Sequence, residues 1–117
     1  MTEKSASDIV REFVDYANAG ERELVDSLVV EDIKFTDIAG DVYIEKEFMS
    51  SYLKAYPNYK IDIQQMFRGG SGVAFSGKTR GSHVPAEIEF EETLIWTAEV
   101  RDGLISEWRI YLDEDHA

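Results

Sequence analysis

Apolar residues recur at helical spacing in three segments of the first half of the chain. The spacing in residues 5–19 predicts a helix whose buried face carries Ile9, Val10, Phe13, Val14 and Ala17. Ser5 and Asp8 have the form of a capping box at the start of this helix. The same spacing predicts a short second helix over residues 21–30 and a third helix over residues 45–56.

From residue 33 the pattern changes to alternation between apolar and polar residues, which indicates β-strands. Short strands are predicted over residues 33–38 and 42–44. Four longer strands are predicted after the third helix: from residue 59 to a glycine-rich turn at 69–72, then 73–83, 88–100 and 104–112. Helices followed by a meander predict one α+β domain over residues 1–117, with the N-terminal helices packed on a curved antiparallel sheet.

The composition excludes several kinds of site. The 117 residues contain no cysteine and two histidines, His83 and His116, so thiolate metal sites, disulfides and a three-histidine metal site are excluded. The glycine run at 69–72 precedes a predicted strand, so it does not place a helix N-terminus against a phosphate. We therefore expect no cofactor and no metal.

The charge is strongly acidic, with 24 Asp and Glu against 12 Lys and Arg and a formal net charge of −12. Nucleic acid and anionic membranes both need clustered basic residues, so neither is an expected partner. The first residues lack the basic and apolar segments of a secretory signal, and no run of about 18 apolar residues could span a bilayer. We expect a cytoplasmic protein.

Six short motifs, spread in order over nearly the whole chain, resemble the nuclear transport factor 2-like (NTF2-like) superfamily, and most closely its SnoaL-like and ketosteroid-isomerase-like branch. They are ANAGE at 17–21, FTDIAG at 35–40, YPNY at 56–59, RGSH at 80–83, DGLI at 102–105 and WRIYLD at 108–113. The resemblance implies a cone-shaped α+β barrel, a homodimer and a conical pocket between the helices and the concave face of the sheet. Such proteins include isomerases, polyketide cyclases, epoxide hydrolases, dehydratases and non-catalytic binding modules.

Asp37 is the first candidate catalytic residue. Alternation along the predicted strand places it on the same face as Ile33 and Phe35, which should face inward. Its position also resembles that of the aspartate base of ketosteroid isomerases. A structural role is the alternative, because aspartate often accepts hydrogen bonds from a nearby turn.

The isomerase pattern then breaks. The position of its oxyanion-binding tyrosine is occupied by Phe13, which has no hydrogen-bond donor, and its second acid falls near Ile95. The closing acid of the epoxide-hydrolase pattern falls on Ile110. Steroid isomerisation and epoxide hydrolysis by those residue sets are therefore not expected.

His83 is the second candidate catalytic residue, since it shares a predicted strand face with Phe75 and Thr79 and histidine side chains ordinarily titrate near neutrality. A structural role is the alternative, because a lone histidine on an apolar face is more often simply hydrogen-bonded. Glu92 interrupts an apolar row and is a candidate pocket acid; the alternative is a one-residue bulge in the strand, which would turn Glu92 toward water. The expected ligand-binding residues are Phe13, Tyr16, Tyr52, Tyr56, Glu92 and Trp108. For the tyrosines and Trp108, packing in the core is the alternative role.

Two functions remain open from the sequence. One is cofactor-independent isomerase, cyclase or dehydratase chemistry on a small hydrophobic molecule, with Asp37 moving a proton and His83 or a tyrosine assisting. The other is a non-catalytic module that binds such a molecule or serves in dimerisation. Large apolar residues on both faces of the predicted sheet, including Ile95 and Tyr111 on the outer face, predict a homodimer.

Overall fold

The computed structural model describes residues 4–113, which form helices packed on one curved sheet. The helices are α1 (Ala6–Asn18), α2 (Arg22–Ser27), α3 (Phe48–Ala55) and α4 (Ala86–Glu89). The strands are β1 (Val29–Thr36), β2 (Val42–Tyr43), β3 (Lys60–Gly69), β4 (Gly72–Arg80), β5 (Leu94–Arg101) and β6 (Leu104–Leu112). Within residues 4–113, no helix is both long and apolar enough to cross a bilayer.

The sheet has the strand order β2-β1-β6-β5-β4-β3. Neighbouring strands are antiparallel except β1 and β6, which run parallel, so the expectation of a wholly antiparallel sheet was wrong in this pair. A tight hairpin would make two strands antiparallel, but β1 and β6 are separated along the chain by the whole meander, so their parallel pairing is possible. The outermost strands, β2 and β3, do not pair with each other, so the sheet is a curved open sheet and not a closed barrel.

Helix α1 covers the concave face of the sheet and carries much of the core. Its capping box is confirmed, since the Asp8 N–H donates to Ser5 Oγ and the Ser5 N–H donates to the Asp8 carboxylate, both at 3.2 Å. The predicted apolar face is also confirmed, with Ile9, Val10, Phe13, Val14 and Ala17 all buried. Phe13 packs on Trp108 with ring centroids 4.8 Å apart, which joins the helix to β6.

Three predicted boundaries differ from the structure. The second helix ends at Ser27, and the apolar residues that follow begin β1. The third helix begins at Phe48, because residues 45–47 form a turn in which the Glu45 carbonyl accepts from the Phe48 N–H. Strand β4 ends at Arg80 because Gly81 adopts a φ of +71°, which bends the chain away from the sheet.

The predicted strand over 88–100 was wrong in its first part, where the structure has helix α4. Pro85 precedes this helix and favours its first turn. The alternating sequence does not put apolar side chains inside: Phe90 is 80% exposed, whereas Glu89 is 6% exposed. The short helix therefore turns a carboxylate toward the interior, and β5 starts only at Leu94.

The β3–β4 ladder contains a bulge, because the register shifts between Ile63 and Gln65. Gly77 lies opposite Ile63, at the buried centre of β4. A Cβ atom at position 77 would collide with the backbone carbonyl of Asp62. The close approach of the two strands at the bulge therefore requires glycine here.

Candidate functional site

A cavity of about 360 Å³ lies between the concave face of the sheet, α3 and the chain around α4. Its walls are largely aromatic and aliphatic, with Phe35, Tyr43, Phe48, Tyr52, Tyr59 and Trp108 among them. Its polar side chains are Thr36, Asp37, Thr79, Ser82, His83, Glu89 and Glu92. A mostly apolar cavity with a few polar groups is the usual form of a small-molecule site.

Asp37 lies directly after β1, where the chain turns toward β2. Its Oδ1 accepts a hydrogen bond from the Asp41 N–H at 2.9 Å, and its Oδ2 accepts one from the Tyr43 hydroxyl at 3.3 Å. The carboxylate is half-buried and lines the cavity. Asp37 therefore closes the turn and also lines the cavity.

His83 lies on the bend between β4 and α4, next to Tyr52 of α3. The His83 N–H donates to the Tyr52 hydroxyl oxygen at 3.0 Å, and His83 Nδ1 lies 2.7 Å from the same oxygen. The two rings meet edge to face, with centroids 5.9 Å apart. Because the Tyr52 oxygen already accepts the backbone bond, its own proton can be donated to Nδ1.

Glu89 is a buried cavity acid that the sequence reasoning missed. Its Oε2 accepts hydrogen bonds from the Thr79 hydroxyl at 2.6 Å and from the Ser82 N–H at 3.3 Å. These bonds tie α4 to the end of β4 and hold the bend that carries His83. The signal that could have found it is Pro85, which favours a helical turn over the strand suggested by the alternating residues.

The tyrosine hydroxyls of the cavity keep their protons. Burial raises the pKa of Tyr59 and of Tyr52, because the charged phenolate loses its hydration. The negative charge of Asp37 is the main cause of the raised pKa of Tyr43. All three groups are therefore hydrogen-bond donors at neutral pH.

The family model of the SnoaL-like domain matches residues 10–108 of the chain. The chain belongs to the SnoaL-like family. Its fold is that of the NTF2-like superfamily. No curated protein matches the sequence significantly.

Solved structures of the same fold cover nearly the whole SnoaL-like domain. An NTF2-like protein of unknown function from Cytophaga hutchinsonii has a TM-score of 0.80 and 16% identity, covering 97% of this chain and 95% of its own. A candidate ketosteroid isomerase from Kribbella flavida has a TM-score of 0.73 and 18% identity, covering 96% and 80%. An LEH-like epoxide hydrolase from M. tuberculosis has a TM-score of 0.73 and 16% identity, covering 92% and 82%. These likenesses establish the fold and not an activity.

Five of the site residues predicted from the sequence line the cavity of the SnoaL-like domain: Asp37, Tyr52, His83, Glu92 and Trp108. Three of them are not on the strands expected from the alternation, and one of these, Asp37, lies directly after β1. His83 lies on the bend after β4, and Glu92 lies just before β5, where its carbonyl accepts a hydrogen bond from Lys78 Nζ at 3.2 Å.

The other three predicted ligand-binding residues lie outside the cavity lining. Phe13 is fully buried behind Trp108. The Tyr16 hydroxyl donates to Glu12 Oε1 at 2.9 Å on the same helix. Tyr56 packs on the Tyr52 ring, 4.7 Å between centroids, and is not among the residues that line the cavity. Each of these side chains packs in or on the helical layer and does not face the cavity.

The cavity offers little to a metal ion or a phosphate. Among residues 4–113, no group of three or more His, Asp or Glu side chains is arranged to hold a metal ion. The lining contains three carboxylates and neither lysine nor arginine. An anionic ligand would therefore meet charges of its own sign and no cationic side chain.

Proposed function

We propose that this SnoaL-like domain performs cofactor-independent acid–base chemistry on a small, mostly apolar molecule. The observation that carries the proposal is that Asp37 and the Tyr52–His83 pair line one cavity. A carboxylate can remove a proton from carbon or from water, and a hydrogen-bonded hydroxyl can return one. Isomerisation, cyclisation, dehydration and hydrolysis all need this pair of roles.

In this proposal Asp37 is the base. Tyr52 is the acid in the form that has a proton on His83 Nδ1: Nδ1–H donates to the Tyr52 oxygen at 2.7 Å, the Tyr52 proton passes to the substrate, and the Nδ1 proton replaces it. The Tyr43 hydroxyl already donates to Asp37, so the Tyr59 hydroxyl supplies the donor that Phe13 cannot, and it stabilises negative charge that develops on a substrate oxygen.

The test is proton removal from a neutral apolar ketone. In D₂O, proton NMR would follow exchange of the C1 protons of 2-tetralone with the wild type and with Asp37→Asn. We expect the wild type to accelerate exchange over buffer, and the variant to lose more than about tenfold of that acceleration, because general bases contribute at least this much. Asparagine keeps an oxygen to accept from the Asp41 N–H, so the turn is retained.

Asp15→Asn is the matched control, since Asp15 is an exposed carboxylate on α1 outside the cavity. It should leave both the exchange rate and the melting temperature unchanged. The proposal fails if the wild type does not accelerate exchange, or if Asp37→Asn accelerates it as well as the wild type does.

A second candidate function is binding without turnover. The observation that favours it is that both oxygens of Asp37 already accept hydrogen bonds, one from the Asp41 N–H in the turn and one from the Tyr43 hydroxyl of β2. In that case calorimetry should detect 2-tetralone binding to the wild type, whereas NMR should detect no accelerated exchange.

We further propose that the domain is a homodimer through the outer face of the sheet. Phe67 is 61% exposed and Tyr111 is 39% exposed on this face, next to the half-buried Ile95. A groove of about 540 Å³ crosses it, and its lining includes both Arg109 and Glu107. A two-fold axis could pair such charges between two copies of the same surface.

Sedimentation velocity should show a dimer for the wild type and a monomer for Tyr111→Glu, because a buried unpaired charge opposes association. Phe90→Glu is the control, since Phe90 is exposed directly after α4, away from the outer face. It should remain a dimer. A wild-type monomer at micromolar concentration would contradict the proposal.

A further inference from the structure

We propose that the molecule bound in the cavity carries a protonated amine on an apolar body, and that Glu89 receives the ammonium group. This inference rests on the proposed function only in using the same cavity. It names the class of ligand, and it places the ammonium group against Glu89 and not against Asp37.

Glu89 has an acceptor that the protein leaves unused. Its Oε2 is held by Thr79 and by the Ser82 N–H, but its Oε1 makes no hydrogen bond to any residue between 4 and 113. The side chain is 6% exposed and lines the cavity. Oε1 is not among the side-chain atoms sealed from solvent, so it is the oxygen of Glu89 that stays open to a donor on a molecule in the cavity.

The charge around Glu89 favours a cation over a neutral donor. Asp37 and Glu92 line the same cavity, and no lysine or arginine does. The nearby Lys78 ammonium donates to the backbone carbonyls of Phe90 and Glu92 and lies outside the lining. The net charge of −12 also raises the concentration of cations near the protein surface.

Aromatic rings form the wall beside Glu89. Tyr52 and Tyr59 meet edge to face, with centroids 5.0 Å apart, and both line the cavity. Burial is the main cause of the raised pKa of each, and the charge of Glu89 adds to it, which places both hydroxyls within the field of this carboxylate. Aromatic faces attract ammonium groups, whereas an alcohol gains nothing comparable from them.

Three probes that share a naphthyl group and differ in their head group test the inference. They are the amine 2-(2-naphthyl)ethylamine, the alcohol 2-(2-naphthyl)ethanol and the carboxylate anion 2-naphthylacetate. Calorimetry at pH 7 would measure their affinities for the wild type, for Glu89→Gln and for Glu87→Gln. Glu87 is an exposed residue of the same short helix and lies outside the cavity lining, so its variant is the matched control.

We expect the wild type to bind the amine at least about tenfold more tightly than the alcohol, because hydrogen bonds to charged groups are the stronger ones. The acetate should bind most weakly. Glu89→Gln should reduce the preference for the amine to about threefold or less, whereas Glu87→Gln should keep it. The comparison of probes on the wild type does not depend on how well either variant folds.

Equal affinity of the wild type for amine and alcohol would overturn the inference, as would the absence of amine binding up to about 1 mM. So would an unchanged preference in a folded Glu89→Gln variant. The ketone-exchange assay separates this failure from that of the proposed function. Accelerated exchange without a preference for the amine would contradict only the proposed class of ligand. A preference for the amine without accelerated exchange would contradict only the proposed acid–base catalysis.

Discussion

Replacing Trp96 with alanine is expected to lower the free energy of unfolding by about 4 kcal/mol. Trp96 is fully buried on β5 and stacks on Phe75, with an interplanar angle of 9° and centroids 4.8 Å apart. Truncation removes this stacking and leaves a large cavity between the sheet and α1, which the surrounding strands cannot close. Small domains are stable by about 5–15 kcal/mol, so the loss is a large share of the total. Urea denaturation followed by circular dichroism would measure it.

Trp96→Phe is the matched control. The Trp96 Nε1 is buried without a hydrogen-bond partner among the described residues, so phenylalanine removes an unsatisfied donor while it keeps most of the ring. We expect this variant to stay within about 1.5 kcal/mol of the wild type. A loss below about 1.5 kcal/mol for Trp96→Ala would show that Trp96 does not hold the core as described.

The second large effect is expected at Gly77, where alanine should cost about 3 kcal/mol. The added methyl group would overlap the Asp62 carbonyl, so β3 and β4 would have to move apart at the bulge. That carbonyl is backbone and has no rotamer with which to move aside. Thermal unfolding should report the loss as a lower melting temperature.

Gly69→Ala separates this collision from the general effect of removing a glycine. Gly69 ends β3 with open space around the position of its missing Cβ atom and without a left-handed backbone. The variant should differ from the wild type by less than about 0.5 kcal/mol. If the two alanine variants are equally stable, the close approach at Gly77 is not a steric constraint.

Local structure was predicted correctly from the sequence where a long segment shows a single periodicity of apolar residues. Helix α1 has enough turns for its apolar face and its capping box to be evident, and both are confirmed. Helix α4 has only four residues, too few for a helical period to appear, and its alternating acidic and apolar residues resemble a strand. The burial of Glu89 was missed for the same reason, because the predicted strand register placed its apolar neighbours inside.

Contacts between distant segments were harder to predict. The parallel pairing of β1 with β6 joins segments about seventy residues apart, and nothing in either strand specifies direction. For the site, alternation predicted that Asp37 faces inward, although the residue lies just past the end of β1. Periodicity on α1 showed that Phe13 is buried, but not that Trp108 stands between it and the cavity.

The bulge in β3 also affects how the molecule behaves at high concentration. Strand β3 is a ten-residue edge of an open sheet, and a long, regular edge is a template on which a strand of another chain can assemble. Here the ladder is interrupted between Ile63 and Gln65, and the charged Asp62 and Arg68 lie on either side of the interruption. A foreign strand could form only a short run of hydrogen bonds before losing register. The irregularity that constrains Gly77 thus makes the free edge of β3 a poor template for a strand of another chain.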